Sequence, residues 1–313
     1  MTVAPAQTTR PTPEPAMPTT PDADAAQLKL ALPKGRMAEG VNQLLREAGM
    51  GVKAAARDYR PSIGVEGVNV KILKPHAIVE MLGDGTRDLG FAGKDWVIET
   101  GVEPVEILDT GLDTVRLVAA APSDSLVDGR LPERPADHPL IVASEYLNIT
   151  GRWIAERGLN ARVMRSYGAT EVLPPDDCDC IVDNTATGST LEANRLDIVD
   201  TLMTSSTRLY ASRRAMDDPA KRKLIETFGT LVRSVLEARQ RVMIEFNVSP
   251  EQMEAVVAQL PCMREPTVST LHGAAGFAVK SAVPRRTLTE VIPMIKAAGG
   301  TDIVVTKPEQ IVV

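Results

Sequence analysis

Short apolar runs and helical patterns alternate along most of this 313-residue chain. Apolar, β-branched runs bounded by turn signals indicate strands. The predicted strands are 28–32, 68–73, 89–92, 116–121, 140–143, 162–166, 180–182 and 198–205. Helical patterns fall between many of them, as at 149–156, and a long helix with one apolar face is predicted from 219 to about 241. This order predicts an α/β protein with largely parallel sheets, in which the Pro- and Asp-rich stretch 122–138 is a crossover loop between two lobes.

The end of the chain has its own order of elements. A strand at 242–248 precedes the segment Ser249-Pro-Glu-Gln252, a capping box that predicts a helix through Leu260. Strands at 267–271 and 276–282, a helix at 287–298 ended by Gly299 and a strand at 303–305 follow. This β-α-β-β-α-β order is typical of a ferredoxin-like module.

The beginning of the chain differs in kind. Residues 1–26 are rich in Pro, Thr and Ala without any periodicity, so a disordered tail is expected. The segment has no apolar stretch of the kind a secretory signal needs. No apolar run is long enough to span a bilayer, and a cytoplasmic protein is therefore expected.

Composition limits the partners. The net charge of -6 argues against a nucleic-acid backbone or an anionic membrane as the main partner, because both need clustered positive charge. The three cysteines are too few for a disulfide framework and are interpreted as core thiols. Cys178 and Cys180 are predicted to point to the same side of a strand. The three histidines stand far apart in the chain, so a structural zinc site is not predicted.

The segment from Asp183 to Leu191, Asp-Asn-Thr-Ala-Thr-Gly-Ser-Thr-Leu, carries the strongest chemical signal. It joins an apolar strand to the helical pattern at 191–196, so backbone N–H groups converge on the turn. Gly188 allows an anion to approach closely, and the hydroxyls of Thr187, Ser189 and Thr190 add donors. Asp183 is placed to accept hydrogen bonds from sugar hydroxyls. The motif alone leaves open a plain strand-to-helix turn with a capping hydroxyl.

Three further segments, in their order along the chain, match one protein family together with the turn at 183–191. They are the Pro-Lys-Gly-Arg turn in Leu30-Ala-Leu-Pro-Lys-Gly-Arg-Met37, the stretch Asp88-Leu-Gly-Phe-Ala-Gly-Lys-Asp-Trp96, and Tyr167-Gly-Ala-Thr-Glu171 with Pro174. Together with the turn at 183–191 they resemble the ATP phosphoribosyltransferase family. The segments at 260–268 and 297–303 resemble the extra domain of the long, self-regulated form.

The resemblance implies a two-lobed catalytic region like a bacterial solute-binding protein, with the active site between the lobes. Lobe one would hold 27–118 and 204–241, lobe two 119–203, and a ferredoxin-like, ACT-like regulatory domain 242–313. The implied reaction joins N1 of ATP to 5-phosphoribosyl 1-diphosphate, the first step of histidine biosynthesis. Mg2+ would bind mainly through the substrate diphosphate, and histidine would inhibit. A homo-oligomer, from dimer to hexamer, is expected.

The resemblance also implies roles for individual residues. Asp183 and Glu171 would contact the ribose, and Lys34 and Arg36 would face the phosphates of the substrates. The 5-phosphate cradle would be Ala186, Thr187, Gly188, Ser189 and Thr190, with a further phosphate contact from Lys74 and the nucleotide side shaped by Gly93 and Asp95. An N-cap is an equally good interpretation of Asp95. Histidine contacts are expected around Asn247, Thr267 and Ala282.

The sequence departs from the family pattern at two positions, and two other functions are considered. Asn184 stands where many phosphoribosyltransferases carry a second acid, and Lys74 stands where an arginine is expected in the family, which loses a bidentate contact. A solute-binding protein would share the two lobes, but it would carry an export signal that this sequence lacks. A pure amino-acid sensor would need only the last module.

Overall fold

A computed structural model describes residues 27–53 and 59–312 of the protein. The predicted tail at 1–26 lies outside the described residues. The first part of the chain forms β1 (Leu28–Pro33), α1 (Met37–Glu47), β2 (Val52–Lys53), β3 (Ser62–Ile63), β4 (Val68–Leu73), α2 (Pro75–Gly83), β5 (Leu89–Gly93), α3 (Lys94–Thr100) and β6 (Val105–Pro122). The middle forms β7 (Leu140–Ser144), α4 (Leu147–Arg157), β8 (Ala161–Arg165), β9 (Cys180–Thr185), α5 (Ser189–Ala193), β10 (Leu196–Ala211), α6 (Arg213–Asp217) and α7 (Pro219–Gln240).

An eight-stranded mixed sheet runs through this part in the order β4-β1-β5-β10-β6-β9-β7-β8. The outer strands are parallel: β1 pairs with β4 and β5, and β7 pairs with β8 and β9. The centre is antiparallel, because β10 pairs with β5 and β6, and β6 pairs with β9. The prediction of largely parallel sheets was therefore wrong at the centre.

The two long central strands explain the error. β6 has 18 residues and β10 has 16, whereas the sequence pattern predicted only a short apolar part of each. The remaining residues of β6 are mostly exposed or half-buried, and its segment Asp109-Thr-Gly-Leu-Asp113 has the composition of a turn. Cross-strand hydrogen bonds hold this segment extended against its composition.

Buried apolar residues form separate cores in the two halves of the sheet, which are referred to as lobe one, with the core around Leu30, and lobe two, with the cores around Val142 and Ile181; β6 and β10 run through both. Leu108 at the start of β6 packs in the core of lobe one, whereas Leu117 and Val118 further along the same strand pack in the cores of lobe two. The stretch 122–138 instead joins β6 to β7 within lobe two, so its prediction as the interlobe crossover was wrong. Apolar alternation marks a strand as buried but does not show that two different cores bury it.

Helices cover the sheet with the predicted apolar faces. In α1 the residues Val41, Leu44 and Leu45 are fully buried, and α7 buries Phe228 and Val232 in the same core. Among the described residues, no helix is both long enough and apolar enough to cross a bilayer.

The prediction that the side chains of Cys178 and Cys180 point to the same side of a strand was wrong. Cys180 begins β9 and packs in one core of lobe two, whereas Cys178 precedes the strand and packs in the other. Burial raises the pKa of Cys178 to about 11 and that of Cys180 to about 12, so both remain neutral thiols at physiological pH, in agreement with their interpretation as core residues.

The last module consists of β11 (Arg241–Val248), α8 (Met253–Val257), β12 (Thr267–Thr270), β13 (Phe277–Pro284), α9 (Leu288–Ala297) and β14 (Thr301–Thr306). Its four strands pair antiparallel in the order β12-β13-β11-β14, so the predicted β-α-β-β-α-β order is present. Both helices pack on one face of the sheet, where Ile244, Val279 and Ile295 are fully buried.

Two predicted helix boundaries were wrong. α8 spans only five residues, and the predicted capping box is not formed: the hydroxyl of Ser249 donates to the side chain of Gln252 at 3.2 Å, and no side chain caps the helix. α5 likewise spans five residues and ends before Leu196, which already belongs to β10.

Candidate active site

The predicted site residues of both lobes follow the carboxyl ends of parallel strands. In lobe one, β1 and β4 end side by side at Pro33 and Leu73, so Lys34 and Lys74 emerge at the same edge of the sheet. In lobe two, β7 and β9 are parallel neighbours and lead into Glu145 and the turn at 186–188. In open α/β sheets this edge is where ligands bind.

A cleft of about 610 Å³ lies between the two lobes. Lobe one lines it with Lys74, Trp96 and Glu99, and lobe two with Glu145 and Arg165. Only Lys74 of these residues was a predicted site residue. The others carry no local sequence signal beyond their place just after, or in the helix after, a predicted strand.

The basic turn after β1 leaves its side chains unpaired. The N–H of Lys34 donates to the carbonyl of Leu73 at 2.9 Å, and Gly35 adopts a left-handed φ of 79° that lets the chain turn away from the sheet. Lys34, Arg36 and Lys74 are exposed, and none of them makes an ion pair within 27–53 and 59–312. Arg165 adds an exposed cation from lobe two. These charges make the cleft attractive to polyanions.

The turn after β9 is open to ligands. Ala186, Thr187, Ser189 and Thr190 are exposed, and Gly188 has a left-handed φ of 91° with no atom within 4 Å of the position that a Cβ would take. The hydroxyls of Thr187 and Ser189 lie 3.0 Å apart on the same side of the turn. Because α5 is so short, we expect backbone N–H groups and hydroxyls to matter more than a helix dipole.

The turn and the interlobe cleft are separate cavities. Gly188 lines a depression of about 550 Å³ on lobe two, together with Ser123 and Arg195, and this depression shares no residue with the cleft. The structure therefore does not bring the predicted phosphate turn and Lys74 into one pocket. Asp183 lies on β9, the strand that leads into the turn, and its carboxylate interacts with that of Glu145 in the cleft.

Three carboxylates interact at this end of lobe two. Burial is the main cause that raises the pKa of Asp183 to about 6, and the nearby carboxylates of Glu171 and Glu145 contribute, against hydrogen bonds from the N–H of Asn184 and the side chain of Thr170. That N–H lies 2.7 Å from Oδ1 of Asp183. A carboxylate with a raised pKa in such surroundings is typical of a functional site. Glu171 and Asp183 were predicted together, whereas Glu145 was missed.

The N-cap interpretation of Asp95 was wrong. The N-cap of α3 is Gly93, and no side chain caps that helix. Asp95 is 5% exposed, and its carboxylate accepts hydrogen bonds from the hydroxyls of Tyr146 and Ser205, each at 2.6 Å. Its partners come from lobe two and from the interlobe strand β10, so Asp95 lies at the junction of the lobes.

A second polar contact joins the lobes nearby. The carboxylate of Glu99, on α3, accepts hydrogen bonds from the backbone N–H groups of Asn148 and Ile149 at 3.0 Å each. These are first-turn donors of α4, which no intrahelical acceptor satisfies. The rings of Trp96 and Tyr146 stack beside this contact with centroids 4.6 Å apart. The arrangement holds the two sides of the cleft in one relative position.

Cations from lobe one, a hydroxyl-rich turn and a carboxylate cluster on lobe two are typical of proteins that hold a phosphorylated, hydroxyl-bearing ligand between two α/β lobes.

Comparison with known proteins identifies the family. The family model of ATP phosphoribosyltransferase matches residues 74–234, and that of the HisG C-terminal domain matches 238–309. An ATP phosphoribosyltransferase of Chlorobium phaeovibrioides is 36% identical over 281 residues, covering 88% of this chain and 94% of the relative. One from Pelotomaculum thermopropionicum is 34% identical over 284 residues, covering 89% and 96%. The chain belongs to the ATP phosphoribosyltransferase family and has the C-terminal domain of its long form.

A solved structure agrees with this assignment. The ATP phosphoribosyl transferase (HisG:HisZ) complex from Thermotoga maritima contains a chain that superposes with a TM-score of 0.58 at 25% identity. The superposition covers 67% of this chain and 99% of that chain.

Proposed function

We propose that this protein transfers the phosphoribosyl group of 5-phosphoribosyl 1-diphosphate to N1 of ATP, the first step of histidine biosynthesis. The bond from C1 of the ribose to the diphosphate oxygen breaks, and the diphosphate leaves with the electron pair. N1 of the adenine supplies the pair for the new bond to C1. The observation that carries the proposal is a cleft with the exposed cation Lys74 on lobe one and Glu145 on lobe two, whose carboxylate interacts with that of Asp183, in a chain of this family.

Lobe two holds the ribosyl diphosphate in this proposal. The turn of Ala186, Thr187, Gly188, Ser189 and Thr190 cradles the 5-phosphate, because its exposed hydroxyls and N–H groups are donors without a bulky side chain at its centre. Asp183 and Glu171 accept hydrogen bonds from the ribose hydroxyls. Their charge also stabilises the oxocarbenium character that develops at C1.

Lobe one neutralises the phosphates. Lys34, Arg36 and Lys74 face the leaving diphosphate or the triphosphate of ATP, and their lack of ion-pair partners in the described residues leaves their charge available. Gly93 and Asp95 shape the nucleotide side from beneath, since Asp95 is buried. Catalysis then consists mainly of holding two polyanions in line and stabilising the departing charge.

Mg2+ fits this cleft as a substrate-borne ion. Within 27–53 and 59–312, no three His, Cys, Asp or Glu side chains are grouped so as to hold a metal. Mg2+ keeps several waters and few carboxylates, so diphosphate oxygens are its expected ligands, with Asp183 and Glu171 nearby. When bound, it neutralises charge on the leaving group.

The reaction is tested by mixing the protein with ATP, 5-phosphoribosyl 1-diphosphate and Mg2+ and following the absorbance band of phosphoribosyl-ATP. We expect product only when all three are present, with one diphosphate released per product. Binding of both substrates without any product would contradict the proposal and would favour a sensor or a carrier.

We further propose that the catalytic region is two lobes of the binding-protein type, 27–118 with 204–241 and 119–203, and that 242–313 is an ACT-like regulatory domain in a cytoplasmic homo-oligomer. The sheet order β12-β13-β11-β14 supports an ACT-like domain at 242–313. Asn247, Thr267 and Ala282 all lie on the sheet face opposite α8 and α9. Along the ladder, Asn247 pairs with Ala278, so Asn247 and Ala282 are roughly 13 Å apart at the usual strand rise.

Histidine is expected to inhibit without competing with the ribosyl diphosphate, because these three residues belong to a different sheet from the cleft. Asn247→Ala and Thr267→Val should raise the inhibitory histidine concentration roughly tenfold, the cost of one or two hydrogen bonds, with kcat unchanged. Initial rates at several histidine and ribosyl diphosphate concentrations measure both quantities. Competitive inhibition that survives both substitutions would place histidine in the catalytic cleft.

A further inference from the structure

A buried tyrosine links the two lobes at the base of the cleft. Tyr146 is 1% exposed, and its hydroxyl donates to Oδ2 of Asp95 at 2.6 Å. The hydroxyl oxygen of Tyr146 in turn accepts a hydrogen bond from Nδ2 of Asn184 at 3.0 Å. A phenol has one proton to donate, so the contact with Asp95 determines which way the hydroxyl points and leaves its lone pairs to Asn184.

Asp95 is itself held in place. Its Oδ1 accepts from the hydroxyl of Ser205 at 2.6 Å, and its backbone N–H donates to the same hydroxyl oxygen at 3.1 Å. A Cβ at Gly93 would lie 2.1 Å from Oδ1 of Asp95, so only glycine leaves room for the carboxylate in this position. Burial and the neighbouring Asp95 raise the pKa of Tyr146 well above its usual value, which keeps the donor protonated.

The other end of this series of hydrogen bonds reaches Asp183, one of the three interacting carboxylates. Asn184 follows Asp183 on β9, and its backbone N–H donates to Oδ1 of Asp183 at 2.7 Å. Successive side chains of a strand point to opposite faces. Asn184 therefore turns towards Tyr146 with its amide while its backbone holds Asp183 on the other face. The carboxamide is oriented, since the nitrogen must face the phenol.

We propose that Tyr146 is a positioning residue that transmits the location of Asp95 through Asn184 to Asp183, and so fixes the ribose-binding end of β9 relative to lobe one. The inference rests on the proposed function, because it assigns that end of β9 to the ribosyl diphosphate. Asp95 comes from lobe one, whereas Tyr146 and Asn184 come from lobe two, so this series of hydrogen bonds is complete only when both lobes contribute.

Tyr146→Phe tests this role with little change in packing. The substitution keeps the ring that stacks on Trp96 and removes only the hydroxyl. KM for the ribosyl diphosphate is expected to rise roughly 10- to 100-fold with a fall in kcat, while KM for ATP changes no more than about twofold, since a hydrogen bond to a charged group is lost at one site only.

Tyr210→Phe is the matched control. Tyr210 is 3% exposed on β10, packs in another core with Ile78 and Leu82, and has no part in the chain from Ser205 to Asp183. It should keep both KM values. A Tyr146→Phe enzyme with unchanged KM for the ribosyl diphosphate, or with both KM values raised alike, would overturn the inference.

A double-mutant cycle adds a test whose expected result, non-additive losses, would not arise from general destabilisation. Asn184→Leu removes the same link from its other end at similar volume, so the double variant should lose no more than the worse single variant. Additive losses would show that the two residues act independently and would contradict the inference. Wild-type enzyme without phosphoribosyl-ATP formation would instead overturn the proposed function, and this inference with it.

Discussion

Asp183→Asn is expected to lower kcat on the order of 100-fold or more, because it removes the negative charge that faces the developing positive charge at C1. Its effect on stability should have the opposite sign. The fold raises the pKa of Asp183 from an ordinary 3.8 to about 6, so it favours the protonated form. The resulting stability is fully present below about pH 3.8 and is lost as pH rises through 6. At pH 8 the charged side chain is therefore a net cost of about 1 to 3 kcal/mol, which asparagine removes.

Activity and melting temperature measured between pH 5 and 8 separate these effects. Wild-type kcat/KM for the ribosyl diphosphate should fall as pH drops below about 6, the pKa of Asp183, and the Asp183→Asn enzyme should lack this limb. Asp200→Asn is the control: burial raises the pKa of Asp200, but hydrogen bonds from Trp153 and Arg157 outweigh it, so the net shift is downward. That variant should lose stability and keep kcat. If Asp183→Asn melts lower at pH 8 and turns over normally, Asp183 is structural.

Gly188→Val is expected to raise KM for the ribosyl diphosphate and lower kcat, with a combined loss on the order of 100-fold or more, because a branched side chain would occupy the space that the 5-phosphate needs. The protein itself offers no clash, since no atom lies within 4 Å of the new Cβ. The folded state pays only for a left-handed backbone, about 1 to 2 kcal/mol.

Gly158→Val provides the comparison. Gly158 ends α4 with a left-handed φ of 62°, and its Cβ position is equally open. Both variants should lose similar stability in urea, and only Gly188→Val should lose affinity for the ribosyl diphosphate. Near-normal turnover of folded Gly188→Val enzyme would refute the placement of the phosphate at this turn.

Much of the fold follows from local pattern. The strands β1, β4, β5, β7 and β8 lie within one or two residues of their predicted limits, and β1, β5 and β7 are apolar runs that are almost wholly buried. The missed first half of β6 is mostly polar and is held extended by pairing with β10, which a periodicity does not reveal. For the same reason the interlobe crossing was predicted in the wrong segment.

The site residues likewise fall into those that a local motif predicts and those that it does not. The turn at 186–190, the basic turn at 34–36 and Lys74 are contiguous motifs at strand ends, so their residue types alone indicate chemistry. The chain from Asp95 through Tyr146 to Asn184 joins residues 51 and 38 positions apart, and no local signal links them. Glu145 was missed because a single acid after a strand is also an ordinary surface residue.

The most direct test is a structure of the protein with 5-phosphoribosyl 1-diphosphate and Mg2+ bound. The 5-phosphate should lie within hydrogen-bonding distance of the turn at 186–190, with the ribose hydroxyls on Asp183 and the diphosphate directed at Lys34 and Lys74. A 5-phosphate bound against Lys34, with the turn after β9 empty, would contradict the assignment of the two substrates to the two lobes.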